Sequence, residues 1–174
     1  MRIIAGEFRS RRLKALPGLE TRPTPDRLRE ALFSIVQPEI EDAIFLDAYA
    51  GTGAVGIEAL SRGAARAIFI ERNPGAAACI RDNLASLGLQ RRSEVLQGRA
   101  LQYLSQRKAD IVFLDPPYSL EGEYSRSLEL LGNQPPPLTL VQHSKRLDLG
   151  EEYGCLRRTR QLTQGDNTIS FFRP

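Results

Sequence analysis

Asp115-Pro116-Pro117-Tyr118 place a carboxylate, two prolines and an aromatic ring at four consecutive positions. They follow the apolar run Ile111-Val112-Phe113-Leu114, so they fall where a buried strand ends and the backbone opens toward a cleft. Two prolines restrict φ and remove two N–H donors, which stiffens the turn and leaves its carbonyl oxygens free as acceptors. Such a turn suits a flat ring that carries an amine. The ring stacks on Tyr118 while its NH2 donates to Asp115 and to the Pro116 carbonyl.

A second constellation lies upstream. Asp47-Ala48-Tyr49-Ala50 leads into Gly51-Thr52-Gly53-Ala54-Val55-Gly56, a G-x-G-x-x-G pattern between a strand and a helix. Gly51, Gly53 and Gly56 permit a tight turn and close approach of backbone to ligand. Glu71 ends the next strand, where an acid can accept hydrogen bonds from ribose hydroxyls. The loop alone fits either a dinucleotide or S-adenosylmethionine. Asp47 favours the second, because a carboxylate there draws in a cationic amino-acid end and repels a pyrophosphate. In a doubly wound sheet the end of the fourth strand lies beside the first, so the turn at Asp115 meets the same crevice. The two constellations together point to methyl transfer onto a nucleobase, with S-adenosylhomocysteine as the by-product.

No metal cluster and no activated serine or cysteine nucleophile is visible in the sequence. His143 is the only histidine and has no cysteine or acid at ligand spacing, which favours a structural or RNA-proximal role over catalysis. Cys79 and Cys155 are far apart and read as buried free thiols of a reducing cytosol.

The elements that must position these residues alternate. Arg2–Ala5 and Arg12–Leu16 read as the two sides of an N-terminal β-hairpin, with a polar turn around residues 6–11 and a break at Pro17-Gly18. Thr24 reads as the N-cap of a helix with Pro25 at its first position, an apolar face of Leu28, Leu32, Phe33 and Val36, and an end at Gln37-Pro38. Strands are expected at Ala43–Leu46, Ala65–Ile70, Ser93–Leu96, Asp110–Leu114 and Leu138–Val141, separated by helices that include Pro74–Leu87 and Glu123–Leu131. Residues 153–160 and 167–172 read as a closing antiparallel hairpin around Gly165-Asp166. The expected class is α/β: a mostly parallel, doubly wound, Rossmann-like sheet with an antiparallel C-terminal hairpin and a basic arm at residues 1–18 ahead of a core at 22–174.

A chain of 174 residues suits a single domain, and no apolar run approaches the roughly 20 residues needed to span a bilayer. A cytoplasmic monomer without a membrane partner or a metal is the expectation. Residues 1–29 carry a net charge of +5 on a chain of net +3, which leaves the rest at −2. A basic arm on a slightly acidic body is the asymmetry expected of a protein that meets polyanions, although a solvated surface gives the same count. Arg9, Arg11, Arg12 and Lys14 are the candidate phosphate contacts.

With these residues in place the chain resembles the RsmD-type 16S ribosomal RNA guanine-N2 methyltransferases. The matching segments are residues 1–6, Arg22-Pro23-Thr24-Pro25-Asp26-Arg27-Leu28-Arg29-Glu30-Ala31-Leu32-Phe33, Leu46 to Gly63, Phe69-Ile70-Glu71 and the Asp115–Tyr118 turn. The resemblance implies a class I methyltransferase fold, S-adenosylmethionine as donor, and the exocyclic amine of one guanine in small-subunit rRNA, free or within an assembling subunit, as acceptor. It further implies an RNA-gripping arm, Arg22 and Arg27 near RNA phosphates, and Arg29 near the cofactor. Two positions depart from the family pattern. Gly98-Arg99-Ala100 puts an arginine where relatives hold the adenine amine with an acid, leaving that contact to backbone or to a neighbour such as Gln97. Gln142-His143 stands where relatives often have a glutamate.

Adenine-N6 or cytosine-N4 methyltransferases use a similar turn and form the second reading. A nicotinamide-dependent oxidoreductase rests on the glycine loop alone. A non-catalytic RNA-binding module is disfavoured by the intact Asp47, Glu71 and Asp115.

Overall fold

The computed structural model describes residues 1–15 and 24–174. Five parallel strands form one side of an eight-stranded sheet: β1 (Ile44–Asp47), β2 (Arg66–Glu71), β3 (Ser93–Gln97), β4 (Ile111–Leu114) and β5 (Leu138–Ser144). Three antiparallel strands, β6 (Glu152–Tyr153), β7 (Leu156–Gln164) and β8 (Asn167–Arg173), complete it in the order β3-β2-β1-β4-β5-β8-β7-β6. The order reverses beside β1, and β1 pairs with β4 so that Asp47 stands opposite Phe113. Ligands bind at such a reversal, outside the carboxyl ends of the strands. Asp47 and Asp115 are both at that end.

Continuous apolar runs in the central strands follow from burial on both faces. Alternate residues serve different layers. Phe45, Ile111, Phe113, Leu138 and Leu140 pack with Leu28, Leu32 and Phe33 of α1 (Asp26–Ile40) and with Val55 and Ala59 of α2 (Ala54–Ser61). Leu46, Val112, Leu114 and Val141 face the other way, onto α4 (Ala100–Tyr103) and onto Tyr124, Leu128 and Leu131 of α5 (Glu121–Asn133). The remaining helix, α3 (Pro74–Ser86), is opened by Asn73, whose side chain accepts from the Ala76 amide. It shares a third cluster with α2, Phe69 and the arm residues Ile3 and Leu13.

Three expectations change. The N-terminal hairpin is short: around the antiparallel bridge Arg2 to Arg12, Ile3 N donates to the Arg11 carbonyl and Leu13 N to the Met1 carbonyl, both at 3.0 Å, and Ser10 N to the Ile3 carbonyl at 2.9 Å, after which the next amides bond elsewhere. Ile4 N and Ala5 N donate to the Glu58 carboxylate at 2.8 and 3.0 Å, and Glu7 N donates to the Ser61 carbonyl at 2.8 Å. The arm therefore pairs over its first residues and is docked on α2 beyond them. Its break at Pro17-Gly18 lies outside the described residues. Thr24 does not cap α1; its hydroxyl turns inward to Gln142. Nor does Pro38 end that helix, which runs on to Ile40, since Val36 and Ile40 are both buried and a proline so near the C-terminus forfeits only one late hydrogen bond. The C-terminal hairpin forms around residues 165–166 as the alternation implies, with a bulge between Arg158 and Arg160.

Candidate active site

The loop between β1 and α2, the end of β2, the β3–α4 connection and the turn after β4 surround a cleft of about 660 Å³. Its lining includes Asp47, Gly51, Glu71 and the whole of Asp115–Tyr118, so the two constellations do converge. Gly51 N donates to Glu71 Oε2 at 2.8 Å, and Asn73 N donates to Glu71 Oε1 at 2.7 Å. Glu71 thus braces the glycine loop, and each oxygen keeps a second lone pair for a ligand hydroxyl.

The other two glycines act away from the lining. Gly53 starts α2 with a left-handed φ of 80°. Gly56 lies beneath the loop, where an added Cβ would come within 2.4 Å of the Phe69 ring. Close packing of α2 on β2 is what requires glycine there. Its amide also donates to Asp47 Oδ2 at 3.1 Å.

Asp47 is buried, and its carboxyl is pushed up to about 7, chiefly by loss of solvent; the Gly56 amide opposes this and Glu71 adds to it. Asp115 is pushed up to about 8 by burial and then by the charge of Asp47. Asp47, Glu71, Asp115 and Glu123 put four carboxyl groups on the lining, against the guanidiniums of Arg72 and Arg99. Two shifted carboxyls facing a shared cleft favour a cationic ligand, since a positive group between them would restore their ordinary acidity. The residues present therefore fit S-adenosylmethionine, whose sulfonium and ammonium are both cations, and do not suit a pyrophosphate. Gly98, Arg99 and Ala100 line the cleft, whereas Gln97 is exposed and lies outside the lining, so it is not placed for the adenine contact.

The turn after β4 is tethered from three sides. Gln142 Nε2 donates to Asp115 Oδ2 at 3.2 Å. Tyr124 donates its hydroxyl to the Pro116 carbonyl at 3.0 Å, and Tyr118 donates its own to Asn167 Oδ1 at 2.7 Å. The Pro116 carbonyl is thus not wholly free, as the prolines alone imply, and keeps one lone pair for a ligand. Tyr118 is the exposed large hydrophobic among the described residues, at 40%, with its ring at the cleft. Sequence reasoning missed Tyr124 because a tyrosine on the apolar face of a helix reads as core.

Arg29 is elsewhere. It is fully buried beneath the arm, where its Nη2 donates to the Arg2 carbonyl at 2.8 Å and to Asp26 Oδ1 at 3.0 Å. It does not line the cleft, and the cofactor role is replaced by clamping the arm to α1. Burial lowers its pKa, and the charges of Glu58 and then Asp26 oppose that. Glu58, fully buried and ion-paired to Arg62 at 2.7 Å, is the corresponding clamp on α2.

Arg9, Arg11, Arg12 and Arg27 are exposed. Arg11 reaches the Ser86 carbonyl at 3.4 Å, and Lys14 is paired with Asp82 at 3.1 Å, so Lys14 is partly neutralised as a phosphate contact. Arg22 lies outside the described residues. His143 is buried on β5, bonded to Ser170 Oγ at 2.9 Å and the Ser144 carbonyl at 2.8 Å, and burial lowers its pKa; its role is structural. Cys79 is buried as expected, but Cys155 is exposed, just before the start of β7. No group of side chains suited to holding a metal occurs among the described residues, and none of their helices is long and apolar enough to cross a membrane.

Comparison with known proteins agrees with this geometry. Ribosomal RNA small subunit methyltransferase D of Escherichia coli strain K12 is 42% identical over 133 residues, covering 75% of this chain and 66% of that protein. The protein of the same name from Haemophilus influenzae is 37% identical over 147 residues, covering 81% and 76%. A solved Escherichia coli structure named as a methyltransferase, YhhF, superposes with a TM-score of 0.89 at 32% identity, covering 99% of this chain and 97% of that one. Residues 1–173 match the family described as Conserved hypothetical protein 95, and the chain belongs to that family, the RsmD-type methyltransferases.

Proposed function

We propose that this protein methylates the exocyclic N2 amine of a guanine in small-subunit ribosomal RNA. The observation that carries the reading is Asp115, a half-buried carboxyl at the cleft between Asp47 and the exposed ring of Tyr118. The names of the relatives support RNA of the small subunit as the substrate class. The resemblance supports guanine.

An exocyclic amine of guanine is a poor nucleophile because its lone pair is delocalised into the ring. Asp115 and the remaining lone pair of the Pro116 carbonyl accept from its two N–H groups, which pyramidalises the nitrogen and turns its lone pair toward the methyl. When bound, S-adenosylmethionine supplies a methyl group on a good leaving group. Orientation by the chain then provides much of the rate. Tyr118, anchored through its hydroxyl to Asn167, offers a face for a base that has left its stack. As the N–C bond forms and the positive charge beside it is lost, burial again makes Asp115 a stronger base than a free carboxylate, so it can take the proton released from N2. Arg9, Arg11 and Arg12 contact phosphates and hold the RNA without reading its sequence.

The test is labelled methyl transfer to small subunits from a strain lacking the gene, with the product nucleoside identified by mass and RNA binding followed across salt. N2-methylguanosine and a steep fall of binding with salt are expected. N6-methyladenosine would overturn the choice of base. A flat salt response would remove the arm from RNA binding.

A further inference from the structure

We propose that Gln142, held by Thr24, is a positioning residue that selects which oxygen of Asp115 meets the target amine. The proposal rests on the methyl-transfer reading above, and deepens it.

Gln142 is 2% exposed on β5 and Thr24 is 7% exposed just before α1, yet both border the cleft. Thr24 Oγ1 donates to Gln142 Oε1 at 2.9 Å, and Gln142 Nε2 donates to Asp115 Oδ2 at 3.2 Å. The polarity of this chain runs one way. With a cationic ligand beside it Asp115 is an ionised carboxylate that only accepts, so the amide nitrogen faces Asp115 and the amide oxygen faces a donor, which the threonine hydroxyl supplies. With its oxygen anchored, the amide cannot turn over, and Asp115 Oδ2 stays engaged. Oδ1 is left for the amine.

Glutamate, which relatives often have at the place of Gln142, would present a donor to Asp115 only in its protonated form. Methionine would fill a similar volume with neither donor nor acceptor. Valine at 24 would keep the branched shape of threonine but leave the buried Gln142 oxygen without its donor. Serine at 24 keeps the hydroxyl.

The experiment compares Gln142→Met, Thr24→Val and Thr24→Ser with the unaltered protein. It measures kcat and KM with small subunits, S-adenosylhomocysteine affinity by calorimetry, and melting temperature. For Gln142→Met the expected result is a fall in kcat of roughly tenfold to a hundredfold, the scale of an ångström of misplacement. KM and S-adenosylhomocysteine affinity should stay within about twofold on the same argument, that only orientation is lost. Thr24→Val should fall in the same direction by less, and Thr24→Ser should recover most of the loss. Where Gln142→Met does not fold, the valine and serine pair at Thr24 decides alone. Equal kcat for valine and serine, or a loss seen equally in S-adenosylhomocysteine affinity, would overturn the assignment. If the unaltered protein transfers no methyl to RNA, it is the functional reading that fails, a result distinguishable from a null difference between active variants.

Discussion

The hydroxyl of Tyr124 donates to the carbonyl of Pro116 across 3.0 Å, joining a buried residue of α5 to the turn that faces the cleft. Neither proline has an N–H with which to hold the turn, so this bond from a neighbouring helix fixes where the Pro116 carbonyl points. Tyr124→Phe removes one oxygen and little volume. Stability should fall by about 1 kcal/mol and kcat severalfold, with S-adenosylhomocysteine affinity unchanged. Calorimetry and steady-state kinetics check this, and an unchanged kcat would detach the bond from catalysis.

The shifted carboxyls predict how stability depends on pH. Asp115 and Asp47 have folded values of about 8 and about 7, both raised from 3.8, chiefly by burial. Between those limits the folded protein holds protons that the unfolded chain has released, so their contribution to stability falls as pH rises from the unfolded toward the folded values. Asp115→Asn removes its share of that loss. Its melting temperature relative to the unaltered protein should therefore climb as pH goes from 5 to 9 in the absence of cofactor, while methyl transfer is abolished. A gap that stays constant across this range would mean that Asp115 is not strained in the folded state.

Glu58 holds the arm. Its carboxylate accepts from the Ile4 and Ala5 amides and pairs with Arg62 from a fully buried position. Glu58→Ala should destabilise the protein by roughly 3–5 kcal/mol, because a buried pair loses one partner. Amide exchange at Ile4 and Ala5 should accelerate, and RNA affinity should drop as the basic residues beside them lose their place. Hydrogen exchange resolved to single residues would show whether protection at these two amides survives, which would contradict the clamp.

Gly56 is a packing residue, with Phe69 the atom group it makes room for. Gly56→Ala should cost about 1–3 kcal/mol through overpacking. Adding Phe69→Leu should return part of that stability, so the double variant melts above Gly56→Ala alone. Additive losses in a double-mutant cycle would place the strain elsewhere.

The reading of local signals from the sequence reached far. Buried strands announce themselves by contiguous apolar runs, as in β1, β2, β4 and β5, and the glycine loop, Asp47, Glu71 and Asp115–Tyr118 all lie where such runs end. Each is a signal carried by neighbouring residues, and neighbours in sequence stay neighbours in the fold. Helix limits were less legible. Pro38 read as a stop because propensity weighs against it, and buried Ile40 outweighed that.

What only the tertiary structure decided is how distant side chains meet. Arg29 and Glu58 are charged residues on helices, and the arm closes over both and makes them buried clamps. Thr24 has the sequence context of a helix cap, and its hydroxyl instead meets Gln142, 118 residues away. The raised pKa of Asp115 likewise depends on what surrounds it, above all the loss of water and then Asp47. The order of residues along the chain determined which groups stand at the strand ends. Burial and long-range hydrogen bonding decided their charge and direction, because both depend on what the rest of the fold brings against them.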